Sequence, residues 1–306
     1  MEERPVVPPA VPPPDPAAEP DGYVVLVGAD RIHFLDWGGP PAGGVLLVHG
    51  LGRSAWGWTP VARRLRGVVR TVALDLRGHG LSDAPTGGYD PDGFADDLVA
   101  VAEGSGLLDG EGRPILVGHG FGAIAAAWAA ARLGDRCGGL LLVDGGCTDV
   151  AAATGLEPDE LLRTIEEPPE VLRSIEAFLA DRAAFDPGTW DADQERAARA
   201  TVVELPAGHV VPVTRPHVLA GTVEAMFAYR PAVTLPAVAA PIGILLAAGG
   251  ESGRPALDGT LAAIAAAGRP APTILDLSPA GHDLPRYRPA DVAGAILRLA
   301  AATMRA

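Results

Sequence analysis

Apolar residues follow two alternating patterns along the chain, and each pattern predicts one kind of element. Short runs that are apolar at nearly every position are typical of strands buried on both faces of a parallel sheet; they are "GVLLVHG", "VRTVALD", "PILVGH" and "GGLLLVD". Helical spacing separates them, as in "DGFADDLVAVAEGSG" and residues 121–133. Nearer the start, "YVVLVGA" and "RIHFLDWG" predict a β-hairpin. The alternation predicts an α/β fold with a doubly wound, mostly parallel sheet.

The alternation breaks after "GGLLLVD". Residues 148–238 hold helical stretches such as "PDELLRTIE", "DADQERAARATVVEL" and "HVLAGTVEAMFAYR", with no clear strand between them. Strand and helix patterns resume with "PIGILLAA", "DGTLAAIAAAG", "PTILDLS" and "PADVAGAILRLAAATM". We therefore expect a core formed by residues 22–147 and 239–306, interrupted by a helical cap, or lid, at 148–238.

The first 21 residues are proline-rich and predict a disordered tail rather than a signal peptide, because they lack a basic segment and a continuous apolar segment. No apolar run is as long as a membrane span. The formal net charge of −14 disfavours nucleic acids and anionic membranes as partners. The expected partner is a small molecule.

Cysteine and lysine usage limits the chemistry further. Cys137 and Cys147 flank a predicted strand, which holds them too far apart for a disulfide and suits a reducing cytoplasm. We expect neither a metal nor a cofactor, because no histidine–cysteine cluster is present. The chain has no lysine, as is typical of high-GC coding in bacteria, so its side chains cannot form the Schiff bases of aldolases or pyridoxal phosphate enzymes.

Three stretches carry candidate chemistry at the ends of predicted strands. "LLVHGLGRSAWGW" turns toward a helix after His49, where the backbone N–H of Leu51 can face a developing oxyanion. "VGHGFGA" is a strand-to-helix turn that places the N–H of Phe121 at a helix N-terminus. "SPAGHDLPRYRPADV" places His282 between the last strand and the last helix.

These motifs, in this order and with "DLRGHGLSD" between the first two, resemble the α/β-hydrolase superfamily over nearly the whole chain after residue 21. The resemblance implies an eight-stranded sheet with a cap. It implies His282 as the catalytic base, with Leu51 and Phe121 as the oxyanion-hole donors. For the acid that orients the base it offers two positions, of which Glu251 is favoured over Asp144.

The nucleophile of that family does not carry over. The middle position of its G-x-S-x-G motif is Gly120, which has no side chain. One interpretation is an enzyme that uses no covalent intermediate, with His282 acting as general base on water or substrate for hydrolysis or lyase chemistry. The alternatives are an inactive relative that binds or senses a small molecule, and an engineered Ser→Gly variant of a serine esterase. The expected ligand is small, largely apolar and contains a carbonyl group.

Overall fold

The structure, a computed structural model, describes residues 10–40, 43–247 and 254–303. The described residues form ten strands. In chain order they are β1 (Asp21–Val27), β2 (Asp30–Asp36), β3 (Val45–Val48), β4 (Thr71–Leu74), β5 (Ile115–His119), β6 (Gly139–Val143), β7 (Val202–Glu204), β8 (Val210–Pro212), β9 (Ile242–Leu246) and β10 (Thr273–Asp276).

Twelve α-helices lie among the same residues, together with short 3₁₀ turns. They are α1 (Thr59–Leu65), α2 (Pro91–Gly104), α3 (Phe121–Leu133), α4 (Val150–Thr154), α5 (Pro158–Thr164), α6 (Ile175–Phe185), α7 (Ala192–Arg199), α8 (Pro216–Ala228), α9 (Pro231–Ala237), α10 (Arg254–Ala266), α11 (Leu284–Tyr287) and α12 (Pro289–Thr303).

Eight strands make one sheet in the order β1-β2-β4-β3-β5-β6-β9-β10. The pairs formed by β1 with β2 and by β2 with β4 are antiparallel, and the other five pairs are parallel. This confirms the predicted doubly wound, mostly parallel sheet. Because β3, β5, β6 and β9 are adjacent and parallel, the loops that follow them meet at one edge, which is where such sheets place their sites.

The central strands are buried along their whole length, as their continuous apolar runs require. Every residue of β3, β4, β5 and β6 is buried, and the two faces of the sheet line two separate apolar clusters. Close backbone packing fixes α3 against the sheet. A Cβ added at Gly122 would lie 2.3 Å from the backbone oxygen of Val48, so only glycine allows this approach of helix and strand.

The segment between β6 and β9 is helical, with one departure from the sequence prediction. We expected a continuous helix over "DADQERAARATVVEL" and no strand, but α7 ends at Arg199. β7 follows at once and pairs with β8 in an antiparallel hairpin. The expectation of no strand here was wrong because the β-branched run of Thr201, Val202 and Val203 favours an extended backbone over a helix.

Residues 10–20 also depart from the prediction of a disordered tail. Ala18 is fully buried against the core, and the N–H of Asp15 donates to the backbone oxygen of Arg63 on α1 (3.2 Å). Glu19 pairs with two arginines, Arg63 on α1 and Arg196 on α7. Composition alone did not reveal these contacts, because the partners lie elsewhere in the chain. Ordering a proline-rich segment costs little backbone entropy, so a few such contacts are enough to order it. Among the described residues, no helix is both long and apolar enough to span a membrane.

Candidate active site

The turn between β5 and α3 carries Gly120. Its backbone has a φ of 55° and a ψ of −119°, a conformation that residues other than glycine rarely adopt. Its N–H donates to the backbone oxygen of Val143 (3.1 Å), which ties the turn to the end of β6. A Cβ added at Gly120 would lie 3.3 Å from Nε2 of His282 and 3.8 Å from Cα of Gly50. Position 120 therefore faces an imidazole and the turn that follows β3.

His282 is held by a carboxylate at the end of β6. Its Nδ1–H donates to Oδ2 of Asp144 at 2.6 Å, and the other carboxylate oxygen accepts the backbone N–H of Ala247 (2.8 Å). Asp144 has a φ of 45°, and its own N–H donates to the backbone oxygen of Leu245 (2.8 Å). Since Nδ1 donates, Nε2 is left as the proton acceptor, and it is the nitrogen nearest position 120.

Of the two acids that the sequence offered, Asp144 is the one placed on His282. Glu251, which the sequence reasoning favoured, lies in residues 248–253, outside the described residues. The signal for Asp144 was present in "LLLVDGG": an aspartate directly after a buried strand and before two glycines tolerates the sharp turn that aims its carboxylate outward.

Two backbone amides border the same space. Phe121 is the first residue of α3, so its N–H has no intrahelical acceptor, and Leu51 follows Gly50 in the turn after β3. In the described part of the chain, neither N–H donates to a protein acceptor. Both are thus available to a negatively charged oxygen, and the N-terminus of α3 adds its dipole at Phe121.

A buried histidine holds the Leu51 turn in place. The Nδ1–H of His49 donates to the backbone oxygen of Gly50 (2.8 Å), and its Nε2 accepts the N–H of Leu76 (3.1 Å). Burial lowers the pKa of His49, which keeps the ring in the neutral form that these two bonds require.

His119 is a site residue that the sequence reasoning missed. It precedes Gly120, and its Nε2–H donates to the backbone oxygen of His282 (3.0 Å), with the two rings 4.6 Å apart. Burial is the main cause that lowers the pKa of His119 to about 4, so the ring is neutral near pH 7. The contact anchors the loop that carries His282, and the only sequence signal for it was its position next to Gly120.

An ion pair beside His282 was also missed. A guanidinium nitrogen of Arg53 lies 3.2 Å from Oδ2 of Asp283, the residue that follows His282. The Arg53 side chain is 53% exposed, while that of Asp283 is 19% exposed. The backbone N–H of Arg53 donates to the oxygen of Gly50 (3.1 Å), so this arginine belongs to the same turn as Leu51.

Among the described residues, Cys147 and Ser54 carry nucleophilic atoms close in sequence to the turns of this site, and both are buried. Cys147 is 4% exposed, and burial raises the pKa of its thiol to about 11, so it carries no thiolate near pH 7. Ser54 is 1% exposed. Within the described ranges, no three histidine, cysteine or acidic side chains are grouped to hold a metal ion.

Known proteins are similar in sequence to part of this chain. The 2-(acetamidomethylene)succinate hydrolase of Mesorhizobium japonicum is 32% identical over 120 residues, which are 39% of this chain and 41% of that protein. The N-formylmaleamate deformylase of Pseudomonas putida is 38% identical over 124 residues, which are 40% of this chain and 44% of that protein. The matches thus span less than half the length of these relatives.

Solved structures are similar over a longer span. The crystal structure of E-2-(acetamidomethylene)succinate hydrolase has a TM-score of 0.71 and 23% identity, covering 92% of this chain and 99% of that one. The thioesterase domain from the curacin biosynthetic pathway has a TM-score of 0.70 and 20% identity, covering 91% and 99%. At these identities the likeness is one of fold.

A family sequence model decides the membership. The model of the alpha/beta hydrolase family matches residues 45–295, a span that starts at β3 and ends within α12. It therefore includes the turns that carry Leu51, Gly120, Asp144 and His282. Since this match covers most of the chain, the protein belongs to the alpha/beta hydrolase family.

Proposed function

We propose that this chain hydrolyses a small carbonyl compound by direct attack of a water molecule held at position 120, with His282 as general base. One observation carries the proposal: His282 is fixed by Asp144 through Nδ1, while Nε2 lies 3.3 Å from the place where a side chain at Gly120 would begin. A base that is oriented on one side and faces a residue without a side chain on the other is suited to activate a water there.

The reaction proceeds in two proton transfers. Nε2 of His282 takes a proton from the water as its oxygen bonds to the carbonyl carbon, and the carbonyl electron pair moves to oxygen. The N–H groups of Leu51 and Phe121 stabilise this oxyanion. As the tetrahedral intermediate collapses, the imidazolium returns its proton to the leaving alcohol or amine. Asp144 stabilises the imidazolium between the two transfers, and the products are a carboxylic acid and the leaving group.

Other side chains give little support for a covalent route. Gly120 has no nucleophilic atom, Cys147 is buried in its thiol form, and Ser54 is buried next to the Leu51 turn. The imidazole of His282 is 62% exposed, which leaves it open to water. The glycine also relieves the backbone strain that a serine at this positive φ would add, about 1–3 kcal/mol.

For the substrate we propose a small acyl compound that contacts both the core and the helical segment at 148–238, which would act as the cap. The names of two relatives specify 2-(acetamidomethylene)succinate and N-formylmaleamate, which are small acids with an acyl group on nitrogen. We expect the carbonyl oxygen of the substrate to accept from the N–H groups of Leu51 and Phe121. The expected class is therefore a small amide or ester.

The experiment compares the hydrolysis of p-nitrophenyl acetate by the wild type and by His282→Ala. General acid–base catalysis contributes about 10²–10⁴-fold, so kcat/KM should fall by that order. His209→Ala, at an exposed position on the β7–β8 turn, is the matched control and should retain activity.

Two outcomes contradict the proposal. Full activity in His282→Ala would leave an enzyme with another base. No hydrolysis by the wild type of any small ester or amide, with ligands recovered unchanged after long incubation, would favour a binding protein instead.

A further inference from the structure

We propose that Arg53 binds a carboxylate of the substrate, so that the site selects anionic carbonyl compounds. When no substrate is bound, the guanidinium of Arg53 pairs with Asp283 instead. This inference rests on the proposed function, because it assigns a substrate class to the same site.

The position of Arg53 supports this role. It lies two residues after Leu51, and its backbone closes the same turn through the bond to Gly50. Its guanidinium contacts Asp283, which follows His282 directly. Arg53 therefore belongs to the turn of one oxyanion donor and contacts the residue next to the base. A carboxylate bound by Arg53 would fix the reacting carbonyl of the same small molecule near both groups.

The donors of Arg53 are largely unused, in contrast to an arginine with a structural role. Arg77 is 7% exposed; its guanidinium bonds both carboxylate oxygens of Asp97 and two backbone oxygens. Arg53 is 53% exposed and has, in the described part of the chain, the single contact to Asp283. A guanidinium presents five N–H donors in a planar fork that matches a carboxylate, so Arg53 can still bind one with two parallel bonds.

The electrostatics of the surrounding histidines agree with this placement. Burial is the main cause of the low pKa values of His49 and His119, but the charge of Arg53 lowers both further, and the charge of Asp283 raises that of His119. The two charges therefore act on residues that flank the Leu51 and Gly120 turns. In a chain with a net charge of −14, a cation at this point offsets a repulsion that an anionic substrate meets elsewhere on the surface.

The pairing with Asp283 predicts that removing the charge of Arg53 and removing the charge of Asp283 have opposite effects on anionic substrates. If Asp283 competes with the substrate carboxylate, removing its charge frees Arg53 and strengthens the binding of anionic substrates. If the ion pair only holds the two loops together, removing either partner weakens the site for every substrate alike.

The experiment measures kcat/KM for two esters of matched shape, mono-p-nitrophenyl fumarate and p-nitrophenyl crotonate. The first carries a carboxylate where the second has a methyl group, and the trans double bond keeps that carboxylate away from its own ester carbonyl. The ratio of the two values should fall at least about tenfold in Arg53→Gln, since hydrogen bonds between charged groups are the strong ones. The same ratio should rise severalfold in Asp283→Asn.

Arg136→Gln and Glu103→Gln are the matched controls. They break an ion pair near the C-terminal end of α3, in which Arg136 is 56% exposed, much like Arg53, and Glu103 is 54% exposed. That end is about 20 Å from Gly120, given the 13 residues of the helix. Neither control should change the ratio, because the change in net charge is the same but the site is remote.

The remaining outcomes separate this inference from the proposed function. Equal losses for both esters in Arg53→Gln and Asp283→Asn would show a structural pair and overturn the inference, while leaving the hydrolase intact. If the wild type hydrolyses neither ester, the proposed function fails. Calorimetric titration of the wild type and of Arg53→Gln with fumarate then tests whether Arg53 binds a carboxylate. Binding that weakens at least about tenfold in Arg53→Gln would still support the carboxylate site. Unchanged binding, or none to the wild type, would overturn it.

Discussion

Asp144 and His282 lie 138 positions apart in the chain, yet the carboxylate of one is 2.6 Å from Nδ1 of the other. The contact is supported from both sides. Ala247 donates to the second oxygen of Asp144, and His119 holds the backbone oxygen of His282. The imidazole is thus fixed in the orientation that turns Nε2 toward Gly120.

Asp144→Asn tests this contact. The amide can donate a hydrogen bond to Nδ1, which favours the wrong tautomer and places the ring proton on Nε2. We expect kcat/KM for p-nitrophenyl acetate to fall about 10²–10⁴-fold. Asparagine also tolerates the positive φ of this position, so the fold should be retained, as circular dichroism can verify.

The control is Asp149→Asn, five residues further along, where an exposed carboxylate lies 3.7 Å from Arg230. Its activity should be close to wild type. An Asp144→Asn variant as active as that control would remove Asp144 from the mechanism and direct attention to Glu251.

Gly120→Ser should install a nucleophile. The serine Cβ would lie 3.3 Å from Nε2 of His282, so the imidazole must shift by a few tenths of an ångström to accept the hydroxyl proton. We expect a burst of p-nitrophenol of about one equivalent per protein, which marks an acyl-enzyme. The wild type should show no burst.

Gly120→Ala separates chemistry from strain. It has the same positive-φ cost, about 1–3 kcal/mol of unfolding free energy, without a hydroxyl group. A burst in the wild type or in Gly120→Ala would mean that another side chain is acylated, and Cys147 and Ser54 would then be replaced in turn.

The sequence was sufficient for the sheet, and the reason is physical. Runs such as Val45–Val48 and Ile115–His119 are short and mostly apolar, and between helical patterns such runs are typical of strands buried on both faces. The turns that follow these strands then meet at one edge by topology alone. The placement of His282, Leu51 and Phe121 near Gly120 was predicted from the order of the motifs and their resemblance to the α/β-hydrolase superfamily.

What the sequence could not decide depended on contacts between distant segments. The choice between Asp144 and Glu251 required knowing which carboxylate reaches the His282 loop. The order of residues 10–20 depends on Glu19 meeting Arg63 and Arg196, and the partner of Arg53 is a residue far along the chain. Local patterns carry no information about such pairs.

His79 should make stability depend on pH. Burial lowers its pKa to about 3 from an unperturbed value of 6.5. Between these values the unfolded chain binds a proton that the folded protein excludes, so the free energy of unfolding falls as the pH decreases from about 6.5 toward about 3. His79→Gln should reduce the slope by up to about 1.4 kcal/mol per pH unit.

Urea unfolding of wild type and variant over that pH range measures the slope. His209→Gln, at an exposed position, controls for the substitution itself. Identical slopes in the wild type and His79→Gln would show that the buried ring takes up a proton without unfolding the protein.

Arg63 joins three parts of the molecule. Its side chain is 13% exposed, and its guanidinium contacts Asp193 on α7 (2.5 Å) and Glu19 (2.9 Å). Arg63→Met should lower the free energy of unfolding by about 1–3 kcal/mol, since it leaves the largely buried Asp193 without its cation. Arg66→Met, which removes an exposed arginine 3.8 Å from Asp15, should change it by less than about 0.5 kcal/mol. Equal effects in urea unfolding would contradict a special role for Arg63.

The central claim, direct attack by water at Gly120 with no acyl-enzyme, is tested most directly by product partitioning. The wild type and Gly120→Ser are each given p-nitrophenyl acetate and phenyl acetate in water containing methanol, and the ratio of methyl acetate to acetate is measured for both esters. Both esters form the same acetyl-enzyme after the leaving group has departed. Gly120→Ser should therefore give the same ratio of methyl acetate to acetate from either ester. Without that intermediate the leaving group is present when water or methanol attacks, and the wild type should give two different ratios. A single ratio from the wild type, equal for both esters, would reveal a covalent intermediate and contradict the account.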